Sequence, residues 1–191
     1  MAGPRLSLLN LARAMKVAAL LCFLLPWATV SCSSGRLTEA AEFEISGAPS
    51  ETIALPTGIG LATGSVRMLQ EPPSAGEAPP ANPFARPDPF TIAGAVLILA
   101  AFALTFVRRA LLAALGAALL AGGALCYAIL VRLPRTAHDY TAAMISGDTR
   151  LEPGQLLQML EVRIEPGFWL TLLALAAAVA LLIADRFRLP A

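Results

Sequence analysis

Two apolar stretches separated by a pair of arginines decide what kind of fold this chain can adopt: Phe90–Val107 (FTIAGAVLILAAFALTFV) and Ala110–Val131 (ALLAALGAALLAGGALCYAILV). Neither contains Asp, Glu, Lys, Arg or His. At about 1.5 Å per helical residue, both approach or exceed the roughly 30 Å of hydrocarbon in a bilayer. The chain cannot run straight through both, because Arg108 and Arg109 would then lie in lipid. The cheaper solution is a tight helical hairpin, with the arginines at one membrane face and Thr105–Val107 partly unwound to make the turn.

Working outward, two more apolar segments match these. Val17–Ser31 is the shortest, and lengthens backwards if Arg13 and Lys16 snorkel to the headgroups; Phe168–Ala184 closes the set. The composition agrees. Of the 191 residues 57% are hydrophobic and 14% charged, against about a quarter charged in ordinary soluble domains, and the mean hydropathy is +0.70. The expected fold class is therefore all-α membrane: a four-transmembrane-helix bundle with a small α+β extracytoplasmic cap.

Charge orients the bundle. Residues 1–16, 108–109 and 185–191 together carry seven basic residues and one acid. The loops 32–89 and 132–167 carry seven basic residues and twelve acids, spread over far more chain. Basic residues concentrate on the cytoplasmic side of membrane proteins. The expected division is thus a cytoplasmic N-terminus (1–16), helices over 17–31, 90–107, 110–131 and 168–184, a cytoplasmic turn (108–109), a cytoplasmic tail (185–191) and two outer loops. With 13 of the 14 cations arginine and alanine abundant, a bacterial inner membrane is the expected location.

Within the outer loops, Phe43/Ile45, Ile53/Leu55 and Val66/Met68 alternate with polar residues as short half-buried strands do, and Leu160–Glu165 alternates in the same way. Gly154–Met159 is expected to make a turn or two of helix. Residues 71–89, rich in proline, read as an extended tether.

Several chemistries are excluded or disfavoured. A net charge of +1 gives no basic surface for nucleic acid. Three cysteines without a C-x-x-C pair, and a single histidine, give no metal, haem or other cofactor site. Gly58, Gly60 and Gly64 in TGIGLATG have the wrong spacing for a phosphate loop and read as a turn between strands. His138–Asp139, with Ser146 nearby, lacks the spacing of a catalytic set and reads as a surface-loop pair. No catalysis is expected, and no ionisable residue inside the helices marks a transport path. The helices instead carry small residues every fourth position: Ala114, Ala118 and Gly122 on the third, Ala174 and Ala178 on the fourth. Such stripes let helices approach closely in lipid, so they are the expected helix-packing residues. Cys32 has two alternative readings, a disulfide to Cys126 or a lipidation site after signal cleavage. Thr29 stands where lipoprotein signals normally have Leu, with Pro26 and Trp27 just before it, so the first helix is expected to stay attached.

The run Leu25-Pro26-Trp27-Ala28-Thr29-Val30-Ser31-Cys32, with Thr57–Gly64 and Glu165-Pro166-Gly167-Phe168-Trp169-Leu170, resembles a group of small bacterial four-helix membrane proteins with a Pro-Trp-x-x-x-Ser-Cys end to the first helix. The resemblance covers about a quarter of the chain and implies no activity. The order of helices and loops is also similar to that of claudins, without their Trp…Gly-Leu-Trp-Cys-x-Cys signature. The favoured expectation is a non-catalytic accessory or assembly subunit, in the lipid bilayer, packed against a larger membrane complex. The alternatives are a self-associating, claudin-like barrier or pore, and a lipoprotein processed at Cys32.

Overall fold

Pro26 settles where the first apolar segment stops being helical. The computed structural model describes residues 7–32, 51–66, 83–145 and 160–187. Helix α1 covers Leu8–Leu21, opened by Ser7, whose hydroxyl accepts the Asn10 N–H at 3.2 Å. A 3-10 turn, Cys22–Leu24, follows, and Leu25 is already extended, as a residue before proline must be. The chain then enters strand β1, Ala28–Cys32, where β-branched Thr29 and Val30 suit a pleated strand. The first helix therefore begins nine residues earlier than the reading over 17–31, includes Arg13 and Lys16, and gives up its last part to a sheet.

That strand is the centre of a three-stranded antiparallel sheet in the order β2-β1-β3, with β2 at Glu51–Ala54 and β3 at Leu160–Ile164. The β1–β3 register runs from Ala28 opposite Ile164 to Cys32 opposite Leu160, while the β1–β2 ladder shifts between Val30 and Ser31. After β2 comes α2, Gly58–Thr63, capped by Thr57 at its start and by Gly64 in the left-handed conformation at its end. The TGIGLATG stretch is thus a short helix rather than a turn between strands. Thr57 accepting the Gly60 N–H at 3.0 Å makes helix the cheaper local solution.

Asp88 and Pro89 start α3, Pro89–Leu104, with aspartate as the cap and proline at a position where no N–H is needed. Residues 105–107 form a turn, a 3-10 turn covers Arg108–Ala110, and α4, Leu111–Tyr127, returns alongside α3. α4 does not stop at Val131. It runs through a π-helical turn, Ala128–Arg132, into α5, Leu133–Ile145, so the segment read as the start of a loop at 132 is helical. The cause lies at Pro134, which in a regular helix would clash with the carbonyl four residues back. The wider π turn, in which the Leu133 N–H reaches Ala128 O, shifts the ladder just before it. His138 and Asp139 consequently sit on a helix, not in a surface loop. Helix α6, Pro166–Phe187, ends the described chain. Val66, read as part of a strand with Met68, follows α2 outside any strand; Met68, the expected strand at 43–45, the helical turn at 154–159, the bulk of the proline-rich stretch and Ser146 lie outside the described residues.

The fold is mostly helical with one small sheet. Two helical runs, Leu111–Asp139 and Pro166–Phe187, are long and apolar enough to cross a membrane, and Pro89–Leu104 is a shorter apolar helix. α3 packs along α4 and α1 along α6, and contacts of α1 with α3 and α4 with α6 join the pairs. Gly94 makes the α3–α4 hairpin close. A methyl group there would run into the Leu125 side chain, 2.7 Å from its Cγ. The main core runs from Ala19, Ile98, Ala121, Leu125 and Leu175 up to the sheet, and a smaller cluster joins Ala12, Ala114 and Leu182 at the opposite end.

Candidate functional site: the sheet end of the bundle

The most constrained part of the molecule lies where the helices meet the sheet, and Trp27 is its centre. The indole is fully buried, with Phe23 edge-on at 4.5 Å and Phe168 at 5.8 Å between ring centroids. Its N–H donates to Cys22 O at 2.9 Å, which satisfies the one polar atom such a burial would otherwise strand. The Trp27 backbone N–H donates to Pro56 O, and its carbonyl accepts from the Glu165 N–H, both at 2.9 Å. Two glycines leave room for this knot. A methyl group on Gly58 would lie 2.6 Å from the indole carbons, and one on Gly167 would strike the Pro26 carbonyl. Pro26-Trp27, Thr57-Gly58 and Glu165-Pro166-Gly167-Phe168, far apart in sequence, thus close on one another. Thr29 belongs to the same knot, its hydroxyl donating to the Glu165 carboxylate at 2.7 Å.

Beside the knot, the Pro83–Asp88 stretch, α2, the start of α3 and the π turn enclose a cavity of about 120 Å³. Its polar lining is Arg86, Asp88, Thr91, Arg132 and Thr136. Asp88 is fully engaged: Oδ2 accepts both the backbone N–H and the hydroxyl of Thr91 at 2.7 Å, and Oδ1 faces Arg132 Nε at 3.1 Å. The Arg132 guanidinium also lies 5.5 Å from the centroid of the Phe90 ring. A carboxylate holding three donors is a poor general base, and the cavity is well below the several hundred Å³ of usual small-molecule sites. This arrangement can latch the π turn to the start of α3 and hold a few water molecules. Among the described residues no group of three or more His, Cys, Asp or Glu side chains could hold a metal ion. The latch escaped the sequence reading because Asp88 and Arg132 are 44 residues apart; the available clue was the cap pattern Asp88-Pro89-x-Thr91.

The opposite end holds its cations differently. Lys16, fully buried, donates from Nζ to Ala101 O at 2.9 Å, and Arg13 donates from Nη2 to Thr105 O at 2.8 Å. Arg13 also lies 4.1 Å over the centroid of the Phe106 ring. Both cations therefore sit on the carbonyl end of α3, where the helix dipole favours positive charge.

The small-residue positions separate. Ala114, Ala118 and Ala178 are fully or almost fully buried, and Ala174 is half-buried against the main core. Gly122 departs from the expected stripe: a methyl group there would meet no atom within 4 Å, and the packed face continues through Ala121 and Leu125 instead. A 3.6-residue period carries the buried face from Ala118 to Ala121 and Leu125, leaving Gly122 to one side. Cys126 is a free thiol packed at the core's edge, so the pairing with Cys32 is not made here; Cys32 ends β1, with its side chain outside the described residues. The TGIGLATG amides offer no anion cradle, because the Gly60 and Leu61 N–H groups are already bonded to Thr57.

No family model, no curated protein and no solved structure matches this chain.

Proposed function

We propose that this is a multi-pass protein of a bacterial inner membrane, in which α1, α3, α4 and α6 cross the bilayer with both termini in the cytoplasm and the sheet end outside. The supporting observation is the outward surface of the four helices. Val17 and Leu21 on α1, Val96 and Leu99 on α3, Leu112, Leu119 and Leu120 on α4, and Leu173 on α6 are all more than two-fifths exposed. In water such a girdle would be a severe liability, whereas in lipid it costs nothing. Exposed Tyr127 and Trp169 flank it at the sheet end, the amphipathic residue types that gather at membrane interfaces. Retention of the first helix has its own support. Cleavage before Cys32 would remove Trp27 and nearly all of the sheet's central strand.

Within that membrane the protein acts as a non-catalytic accessory or assembly subunit for a larger complex. Gly116 and Gly123, two helical turns apart on α4, have nothing within 4 Å of where a side chain would begin, so α4 offers a partner helix two open notches. Single cysteines at Ser74 and Ser146, in a cysteine-free background, are expected to react with an impermeant maleimide from outside, and one at Ala110 is not. Labelling of Ala110 alone would overturn the topology. Purification in mild detergent is expected to bring down a larger stoichiometric partner, which Gly123→Leu loses while the monomer stays folded. Recovery of a homo-oligomer alone would favour the self-associating reading.

A further inference from the structure

Between α4 and α6, at the end opposite the sheet, runs an open groove of about 280 Å³. Leu111 and Leu115 form one wall and Leu182, Ile183 and Phe187 the other, with Arg186 the single charged residue among those lining it. Arg186 is exposed, and among the described residues no acid pairs with it. We propose that this groove holds an acyl chain of an anionic phospholipid from the cytoplasmic leaflet, with the phosphate on Arg186. The inference rests on the membrane reading above and adds a specific lipid class to it.

Charge and position argue for this occupant. The groove lies at the end of the bundle that carries Arg13, Lys16, Arg109 and Arg186, and among the described residues Asp185 is the only acid of that end. Basic pockets between membrane helices on the cytoplasmic side suit anionic headgroups, for which each nearby cation adds a modest attraction. The walls supply what the chain of a lipid needs: a trough lined by apolar side chains, with Arg186 the one polar residue among them. A zwitterionic lipid would fit the trough but gain little from Arg186, so the site should discriminate by headgroup.

The test is native mass spectrometry of the full chain, extracted in mild detergent and supplied with equal amounts of phosphatidylglycerol and phosphatidylcholine of matched chains. The wild type is expected to retain phosphatidylglycerol preferentially. Arg186→Gln is expected to weaken that retention about fivefold, and Ile183→Trp, which fills the trough, to lower retention of both lipids. Arg163→Gln, on β3 at the far end, should leave the preference unchanged. Equal retention of the two lipids by the wild type, or an unaltered preference in Arg186→Gln, overturns the proposal. Loss of the preference on adding glycerol phosphate also overturns it, by showing a soluble anion site. Alkaline carbonate washing of cell membranes separates the two levels: release of the protein defeats the membrane reading itself. Retention without a headgroup preference defeats only the lipid site.

Discussion

At one end of the bundle Lys16 and Arg13 rest on the Ala101 and Thr105 carbonyls; at the other Arg132 faces the Asp88 carboxylate and the Phe90 ring. Both ends hold cations, Lys16 buried at the first and Arg132 part-exposed at the second, and by different means. The first rests mainly on backbone carbonyls of the α3 end, with the Phe106 ring and the Thr105 hydroxyl added beside Arg13, so it depends chiefly on the cations themselves. The second depends on particular partners, because Asp88 must cap α3, bond Thr91 and meet Arg132 at once. Around it, the Trp27 knot ties three distant segments together. The comparison teaches that the basic end is specified by charge and the sheet end by shape.

The largest effect should come from attacking shape. Trp27→Ala removes a fully buried indole between two rings, and is expected to cost about 3–5 kcal/mol. Gly58→Leu, driving a side chain into the same indole, should be comparably severe. Thermal unfolding in detergent followed by circular dichroism measures both. A Trp27→Ala midpoint within a degree or two of wild type would remove the knot from its central role.

Attacking charge at the other end should cost less, and the cost should depend on sign. Lys16→Met keeps the stem's packing and loses one charge-assisted hydrogen bond, about 1–2 kcal/mol. Lys16→Glu places an anion against the carbonyl end of α3 and should cost about 3 kcal/mol or more. Equal losses for the two variants, in the same unfolding experiment, would mean that Lys16 acts by filling space and would erase the contrast between the ends.

The smallest effects belong to the latch. Asp88→Ala removes a helix cap and should cost about 1 kcal/mol, whereas Asp88→Asn retains the capping acceptor and should cost a few tenths. The Arg132 side chain is 42% exposed, so a double-mutant cycle of Asp88→Asn with Arg132→Gln should give a coupling of about 0.5 kcal/mol. A coupling several times larger would show that the pair is desolvated and put the sheet end, too, under the control of charge.

Particular residues show what could be read in advance. The reversal beside Arg108 and Arg109 is legible because two adjacent cations between apolar runs leave few other solutions, and the chain turns back there with residues 105–107 unwound. The strand at Leu160–Ile164 is legible from its alternation. The end of the first helix is misread because the apolar count runs on through Ala28, Val30 and Ser31, while Pro26 and the pairing of β1 on both sides end the helix earlier. The α5 helix is misread because Arg132 and Pro134 look like a boundary, and a π turn carries the helix past them. Gly122 is misplaced because a strict four-residue spacing drifts off a 3.6-residue helix face within two turns.

By itself the sequence determined the apolar segments, the lack of ionisable residues in the stretches read as spans, and the uneven distribution of basic residues, because these are properties of composition along one dimension. Only the tertiary structure decided which distant pieces touch. Thr29 meets Glu165, Trp27 receives Gly58 and lies beside Phe168, Arg132 meets Asp88, and Arg186 lines the α4–α6 trough. Each of these contacts needs two or more chain segments brought within a few ångströms, and local propensity and hydropathy carry no information about that distance.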